Sequence, residues 1–357
     1  MIRLAWPDLG PEELAAVAEV LESGQLTMGP KVEEFEAELA AACEVEHAVV
    51  VSSGTAALHL SVLALGIGPG DEVIVPAYTF PATANVVALA GARPVLVDVD
   101  PDTMNLTAEV VGEALTELTK AVLVVHLFGR PAPWESLEAA APEGVALLED
   151  AAGALGARRS GPACGGLGRL GCLSFHPRKI VTTGEGGAVT TDDAEIADAV
   201  RRFRHHGIEP GGDFDIRSPG LNYRLPDILC ALGTTQMRRL ERLVEERERL
   251  AAGYAVRLEG AVGLPSADEG DRHGWQAYVV RVDRRDEALA ALREAGIQAQ
   301  IGTYALHRLA AYADQGPFPG ADAAYERALA LPFHNRLTDG DLDRVAEVLL
   351  AHTGRGH

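Results

Sequence analysis

Residues 174–187 read Ser-Phe-His-Pro-Arg-Lys-Ile-Val-Thr-Thr-Gly-Glu-Gly-Gly. A lysine, Lys179, sits there among small and turn-forming residues. Gly184, Gly186 and Gly187 suit positive φ angles and close backbone approach. The apolar run Leu170-Gly171-Cys172-Leu173 precedes the stretch, and Ala188-Val189-Thr190-Thr191 after it reads as another short strand. The spacing predicts a lysine held on a tight loop between two buried strands. Burial disfavours the ammonium form, so such a lysine loses pKa. Neutral lysine attacks carbonyls and forms Schiff bases. Read alone, a surface lysine in a glycine-rich turn is the commoner case. The flanking chain decides between them.

Working outward, strands alternate with helices. Helices are predicted over 11–23, 32–43, 56–65, 82–90, 110–118 and 194–204, with Asp192 or Asp193 capping the last. Strands are predicted over 48–51, 72–75, 94–99, 121–126 and 145–149. This alternation predicts a mostly parallel sheet covered on both faces. In such sheets ligands lie beyond the carboxyl ends of the strands. Thr55, Phe80, His126, Asp150 and Lys179 all fall at or just past predicted strand ends. Ser52-Ser53-Gly54-Thr55 joins a strand to a helix, which aims backbone N–H groups at an anion. It also suits an ordinary N-cap. The P-loop pattern GxxxxGK[ST] is absent.

Residues 208–220 read as a loop, and 225–250 as a long helix broken near Gly233. Beyond Pro265 the pattern changes to an α+β unit. Strands are predicted over 276–282 and 297–300, and helices over 287–295 and 341–352. The expected organisation is a large domain over 1–245 and a small C-terminal domain over 246–357.

The chain has 357 residues, 47% of them hydrophobic, enough for one large and one smaller domain. Its formal net charge of −21 argues against nucleic acid and anionic membrane surfaces as partners. Four cysteines without metal spacing fit a reducing compartment. The N-terminus lacks the apolar core of a signal peptide, and no apolar run is long enough to span a bilayer. A soluble, cytoplasmic protein without a metal site is expected.

Three residue types at strand ends fit one cofactor. Pyridoxal phosphate (PLP) needs a lysine, a carboxylate against its ring nitrogen, and an anion site. Lys179 is the candidate lysine. Asp150, at the end of Leu147-Leu148-Glu149-Asp150, is the candidate carboxylate. A buried carboxylate is costly unless paired, and a protonated pyridine nitrogen would pair it. Asp150 is equally placed to cap the segment after it. Phe80 can stack on the ring or serve the core. Gly54, Thr55 and Ser174 are candidates for the phosphate. His126 and His176 carry less weight, since most such histidines are structural. Residues 301–308, with Tyr304 and His307, and the 205–220 loop are expected to shape a substrate pocket.

Taken together, Ser174-Phe175-His176-Pro177-Arg178-Lys179 and Thr182-Thr183-Gly184-Glu185-Gly186-Gly187 resemble the signature of the DegT/StrS-type sugar aminotransferases. Thr27-Met28-Gly29-Pro30, Ser52 to Leu58, Gly68 to Val73, Glu149 to Ala152 and Asn222-Tyr223-Arg224 follow in matching order. The resemblance implies the fold type I PLP architecture: a large domain with a mostly parallel seven-stranded sheet between helices, and a smaller C-terminal α+β domain. It implies that Lys179 forms the Schiff base and shuttles a proton. Asp150 would pair with the pyridinium, Phe80 would stack, and Thr55 and Ser174 would bind phosphate. Asn222 would reach the partner subunit's cofactor in a homodimer. The implied reaction moves an amino group from glutamate or glutamine to a nucleotide-linked keto-sugar. A sugar dehydratase on the same fold and a non-catalytic regulator are the alternatives. Some relatives replace the lysine with histidine and are sugar dehydratases; here Lys179 is present, which favours transamination. Gly153 departs from the pattern, because many members carry a glutamine there that touches the cofactor's ring oxygen. That contact is absent or supplied by another group.

Overall fold

The computed structural model describes residues 1–209 and 215–353. Its strands are β1 His47–Val51, β2 Glu72–Pro76, β3 Tyr78–Thr79, β4 Arg93–Val97, β5 Thr119–Val125, β6 Ala146–Asp150, β7 Leu170–Ser174, β8 Gly187–Thr191, β9 Tyr278–Arg281, β10 Gln300–Ile301, β11 Tyr304–Ala305 and β12 Ala328–Leu331. Seven form one sheet in the order β1-β8-β7-β6-β5-β2-β4. Pairing is parallel except at β8, which runs against both β1 and β7. Both faces are covered, so strands read as continuous apolar runs. Along β1 the side chains alternate between two cores: Val49 and Val51 join one, Ala48 and Val50 the other.

The second sheet is small and antiparallel, in the order β10-β12-β9. Helices Leu240–Leu258, Arg285–Glu294 and Asp339–Leu350 supply its core with Leu250, Leu289 and Val345 among others. The expected boundary at 245 falls inside the unbroken helix Leu240–Leu258. Leu243 and Val244 belong to a core of the large sheet, and Leu250, Tyr254 and Leu258 to that of the small one. β3 and β11 pair antiparallel, joining Tyr78–Thr79 to Tyr304–Ala305. Tyr78 Oη also accepts from the Thr303 N–H at 3.1 Å.

Local expectations hold over most of the large sheet. Helices Pro11–Ser23 and Ala194–Arg204 have the expected bounds, and Asp193 is the cap of the second. The expected long helix over 225–250 is two helices, Asp227–Met237 and Leu240–Leu258, and the break lies at 238–239 rather than at Gly233. Gly233 lies within the first of these helices, and a glycine is needed there because a Cβ would run into Phe35 Cζ. The helix expected to begin at Val32 starts at Pro30. Asp227, from another helix, caps it by accepting the Gly29 and Lys31 N–H groups at 2.9 and 3.2 Å. The helix expected over 110–118 ends at Ala114, where Leu115 turns to extended backbone. The strand expected over 297–300 is only Gln300–Ile301. No helix among the described residues is long and apolar enough to cross a membrane.

Candidate active site

The carboxyl ends of the parallel strands meet at a cavity of about 530 Å³. Among its lining residues are Gly54, Thr55, Phe80, His126, Asp150, Ser174, His176 and Lys179. Eight of the eleven sequence-derived site residues are therefore brought together in one wall. Asn222, Tyr304 and His307 are not in it. Asn222 is exposed and bridges His205. Tyr304 lies just outside, its ring 6.3 Å from that of Phe80. His307 is directed elsewhere, with Nε2 3.0 Å from Asp322 Oδ1. The 205–220 loop is described except for 210–214.

The expected loop between two buried strands is found, with Lys179 between β7 and β8. Three glycines shape its return, by two different means. Gly184 has φ +83°, a left-handed conformation. Gly186 and Gly187 instead allow close approach: a Cβ on Gly187 would lie 2.5 Å from the Ser53 carbonyl oxygen. Lys179 is half-buried, and its Nζ has no hydrogen-bond partner among the described residues. Burial pushes its pKa down to about 8, against the opposing pull of Asp150.

Asp150 closes β6 and is 6% exposed. Burial pushes its carboxyl up; Thr83, the Ala152 N–H and Lys179 act the other way. The Thr83 hydroxyl lies 2.8 Å from Asp150 Oδ2 and 3.2 Å from the Thr79 hydroxyl. Asp150 Oδ1 accepts from the Ala152 N–H at 3.3 Å. No helix follows Asp150, so it caps only a turn. An acceptor remains on the carboxylate for a cationic N–H from a ligand.

The helix Gly54–Ala64 opens onto the cavity. Its cap, Ser53, accepts the Ala56 N–H at 3.0 Å, and the Gly54 and Thr55 N–H groups have no helical acceptor. Ser174, from the end of β7, packs against them; a Cβ on Gly54 would come within 2.8 Å of Ser174 Cβ. Two amides, two hydroxyls and a helix dipole thus converge on a place suited to an anion. Phe80, 61% exposed, stands at the rim and offers a ring for stacking.

The histidines divide. His126 Nδ1 accepts the Ala132 N–H at 2.9 Å, so its proton is on Nε2, which donates to Glu149 at 2.9 Å. Both nitrogens are committed to structure, leaving His126 only ring contact with the cavity. His176 Nδ1 accepts the Arg178 N–H at 3.3 Å. Its Nε2 makes no hydrogen bond among the described residues. Glu149, His126 and Cys164 bring ligand-type atoms within 4.8 Å of one another. Glu149, however, also accepts the Gly165, Leu167 and Gly168 N–H groups, at 2.6, 2.7 and 2.8 Å, so its oxygens serve the loop instead.

Gly302 and Thr303, from the 301–308 stretch expected to shape the pocket, line the wall, and so do Gln276 and Gln300, which were missed in the sequence. Thr83, behind Asp150, was likewise missed. Its signal was available, since three residues after Phe80 places it one helical turn on. The others come from distant chain segments and carry no local signal.

These residues fit PLP group by group: the aldehyde by Lys179, the ring nitrogen by Asp150, the phosphate by the 54–55 amides with Ser174. A lysine on the loop of such a sheet, facing a buried carboxylate and a helix N-terminus, defines a PLP-dependent aminotransferase of fold type I. The model of the DegT/DnrJ/EryC1/StrS aminotransferase family matches residues 7–350, and the chain belongs to that family. It is similar to the aminotransferase TlmJ from Streptoalloteichus hindustanus, with 38% identity, 98% of each chain covered and a TM-score of 0.94. The PLP form of Streptococcus pneumoniae Spr1654 matches with 29% identity, 98% of each chain covered and a TM-score of 0.94. PseC from Helicobacter pylori, an aminotransferase involved in the biosynthesis of pseudoaminic acid, matches with 28% identity, 98% of each chain covered and a TM-score of 0.91. The chain is thus a PLP-dependent sugar aminotransferase.

Proposed function

We propose that the enzyme moves an amino group from glutamate or glutamine to a nucleotide-linked keto-sugar. The observation that carries this reading is the pairing of Lys179 with Asp150 at one cavity beside the Gly54–Thr55 amides. Bound there, PLP supplies an electron sink for the carbon from which a proton is removed. Lys179 Nζ would take that proton from the donor's Cα and give it back on the far side of the transferred nitrogen. Its pKa of about 8 lies near working pH, which suits a group that both accepts and donates. Asp150 keeps the ring nitrogen protonated, and Thr83 fixes the carboxylate in place. The helix N-terminus and Ser174 anchor the phosphate, and Phe80 covers the ring. His176, through its free Nε2, is a substrate contact, and Tyr304 lies at the entrance. We assign 1–245 and 246–357 as the two domains, sharing the helix Leu240–Leu258.

The active unit is a homodimer in which Asn222 serves the partner's cofactor phosphate. Its exposure outside its own chain's cavity wall supports this. Four free, buried cysteines suit the cytoplasm.

The test is a half-reaction. The enzyme is loaded with pyridoxamine phosphate and offered nucleotide-linked keto-sugars one at a time. Return of the visible absorbance of PLP marks an accepted sugar. If α-keto acids restore it and none of the nucleotide-linked keto-sugars does, the sugar assignment is wrong.

A further inference from the structure

Gly153 and Gln276 share one stretch of the cavity wall. A Cβ built on Gly153 would lie 3.4 Å from both Cβ and Cγ of Gln276, and 3.5 Å from Oε1. Gly153 does not adopt a left-handed φ, so its backbone would accept a side chain. A Cβ there would be in ordinary contact with Gln276, and a longer side chain would compete with Gln276 for the same part of the cavity.

Gln276 is firmly seated. Its N–H donates to the Phe128 carbonyl at 3.1 Å. Arg247 Nη1 donates to the Trp275 and Gln276 carbonyls at 2.8 and 3.2 Å. Trp275 stacks on His273 with ring centroids 3.9 Å apart, and its N–H donates to His273 Nδ1 at 2.8 Å. The side-chain amide of Gln276 makes no hydrogen bond among the described residues, though it lines the same cavity as Asp150 and Lys179. Nearby donors are committed elsewhere: the His126 N–H to Glu149, the Thr83 hydroxyl to Asp150. The Gln276 amide keeps two N–H donors for a ligand.

We propose that Gln276 contacts the cofactor, its amide donating a hydrogen bond to PLP held in this cavity, from the space into which a long side chain at position 153 would extend. The inference rests on PLP binding at this cavity but not on which sugar is aminated. Two positions far apart in the chain are then one functional unit. A glutamine rooted at 276 reaches the cavity from the same stretch of wall as one rooted at 153 would.

The test titrates cofactor-free protein with PLP for the wild type, Gln276→Ala, Gln276→Glu, Gly153→Gln and the double variant Gly153→Gln/Gln276→Ala. A hydrogen bond to an anionic cofactor predicts about tenfold or greater loss of affinity in Gln276→Ala. Gln276→Glu keeps the size but removes the donor, and falls at least as far. Gly153→Gln alone also weakens binding, because the new side chain meets Gln276. The double variant regains affinity over both single variants, because the vacated space receives the new amide. Refilled volume alone would also rescue the double variant, so Gln276→Glu, which keeps the volume and removes the donor, is the arm that separates a hydrogen bond from packing. Wild-type affinity in Gln276→Ala or Gln276→Glu, or a double variant as weak as the two losses combined, overturns the proposal. A wild type that binds PLP yet aminates no nucleotide-linked sugar would instead overturn the substrate reading and leave this one standing.

Discussion

Asp150 is a buried acid held by one side-chain hydroxyl and one backbone N–H, and the hydroxyl can be removed without changing the shape around it. Thr83→Val keeps the volume and deletes the 2.8 Å bond to Oδ2. A hydrogen bond to a charged group contributes about 1.5–3 kcal/mol. PLP affinity should therefore fall roughly ten- to a hundredfold, read by titrating the cofactor-free variant. An unchanged dissociation constant would mean that Thr83 only fills space. Lys179 makes a second prediction, on pH. Its folded pKa of about 8 lies below the ordinary 10.5. Between those values the unfolded chain holds a proton that the folded chain lacks, so stability rises with pH across that window. Below it the ammonium is charged in both states, and the folded state bears the full cost of burial. In cofactor-free protein, Lys179→Met should be more stable than wild type at pH 7, by up to about 3 kcal/mol. The advantage should shrink as pH rises from about 8 towards 10.5. Urea denaturation at several pH values measures it, and a constant difference would contradict the assigned burial.

At the scale of the element, β6 shows how one strand serves two ends. Glu149 and Asp150 are adjacent, so their side chains leave opposite faces of the sheet. Asp150 meets the cavity, while Glu149 gathers three backbone N–H groups of the 165–168 loop and the His126 N–H. Glu149→Gln removes the charge and turns an amide towards donors already present. A loss of about 3 kcal/mol is expected, from several weakened charged bonds at once. Chemical denaturation checks it, and a change below about 1 kcal/mol would mean that the loop holds itself. The strand ends of the large sheet were legible because buried parallel strands leave apolar runs bounded by small residues. The sequence could not reveal β11 or β12 in the same way. β11 is two residues long, and Ala328-Leu329-Ala330-Leu331 follows directly on the helix Pro319–Arg327 with alanines and leucines that suit a helix at least as well as a strand. Gly233 suggested a break in a helix, but its requirement comes from the Phe35 ring of a distant helix. Asp150, Lys179 and Ser174 were readable from local pattern. Gln276 was not, because its proposed role depends on Gly153, its neighbour in space but distant in the chain.

At the scale of the whole molecule, the assigned role of Asn222 predicts complementation between subunits. Lys179→Ala and Asn222→Ala homodimers are first shown to be inactive. Subunit exchange then creates a heterodimer with both lesions in one site and the other site intact. Activity should return towards one working site per heterodimer. Exchange confirmed by mass with no activity would place Asn222 within its own subunit's site. The cavity is also divided along the chain. Its floor comes from residues 53–185, but Gln276, Ala277, Gln300, Gly302, Thr303 and Ala330 complete the wall. β3 cannot pair until β11 exists, some 225 residues later. During translation, Lys179 and Asp150 leave the ribosome long before the far wall is made. Growing chains already carry the reactive lysine but lack the enclosure that lowers its pKa and holds a ligand. Loading is therefore one of the last events in the life of a new chain, and a protein truncated before residue 276 would keep Lys179 and Asp150 and still fail to retain its cofactor.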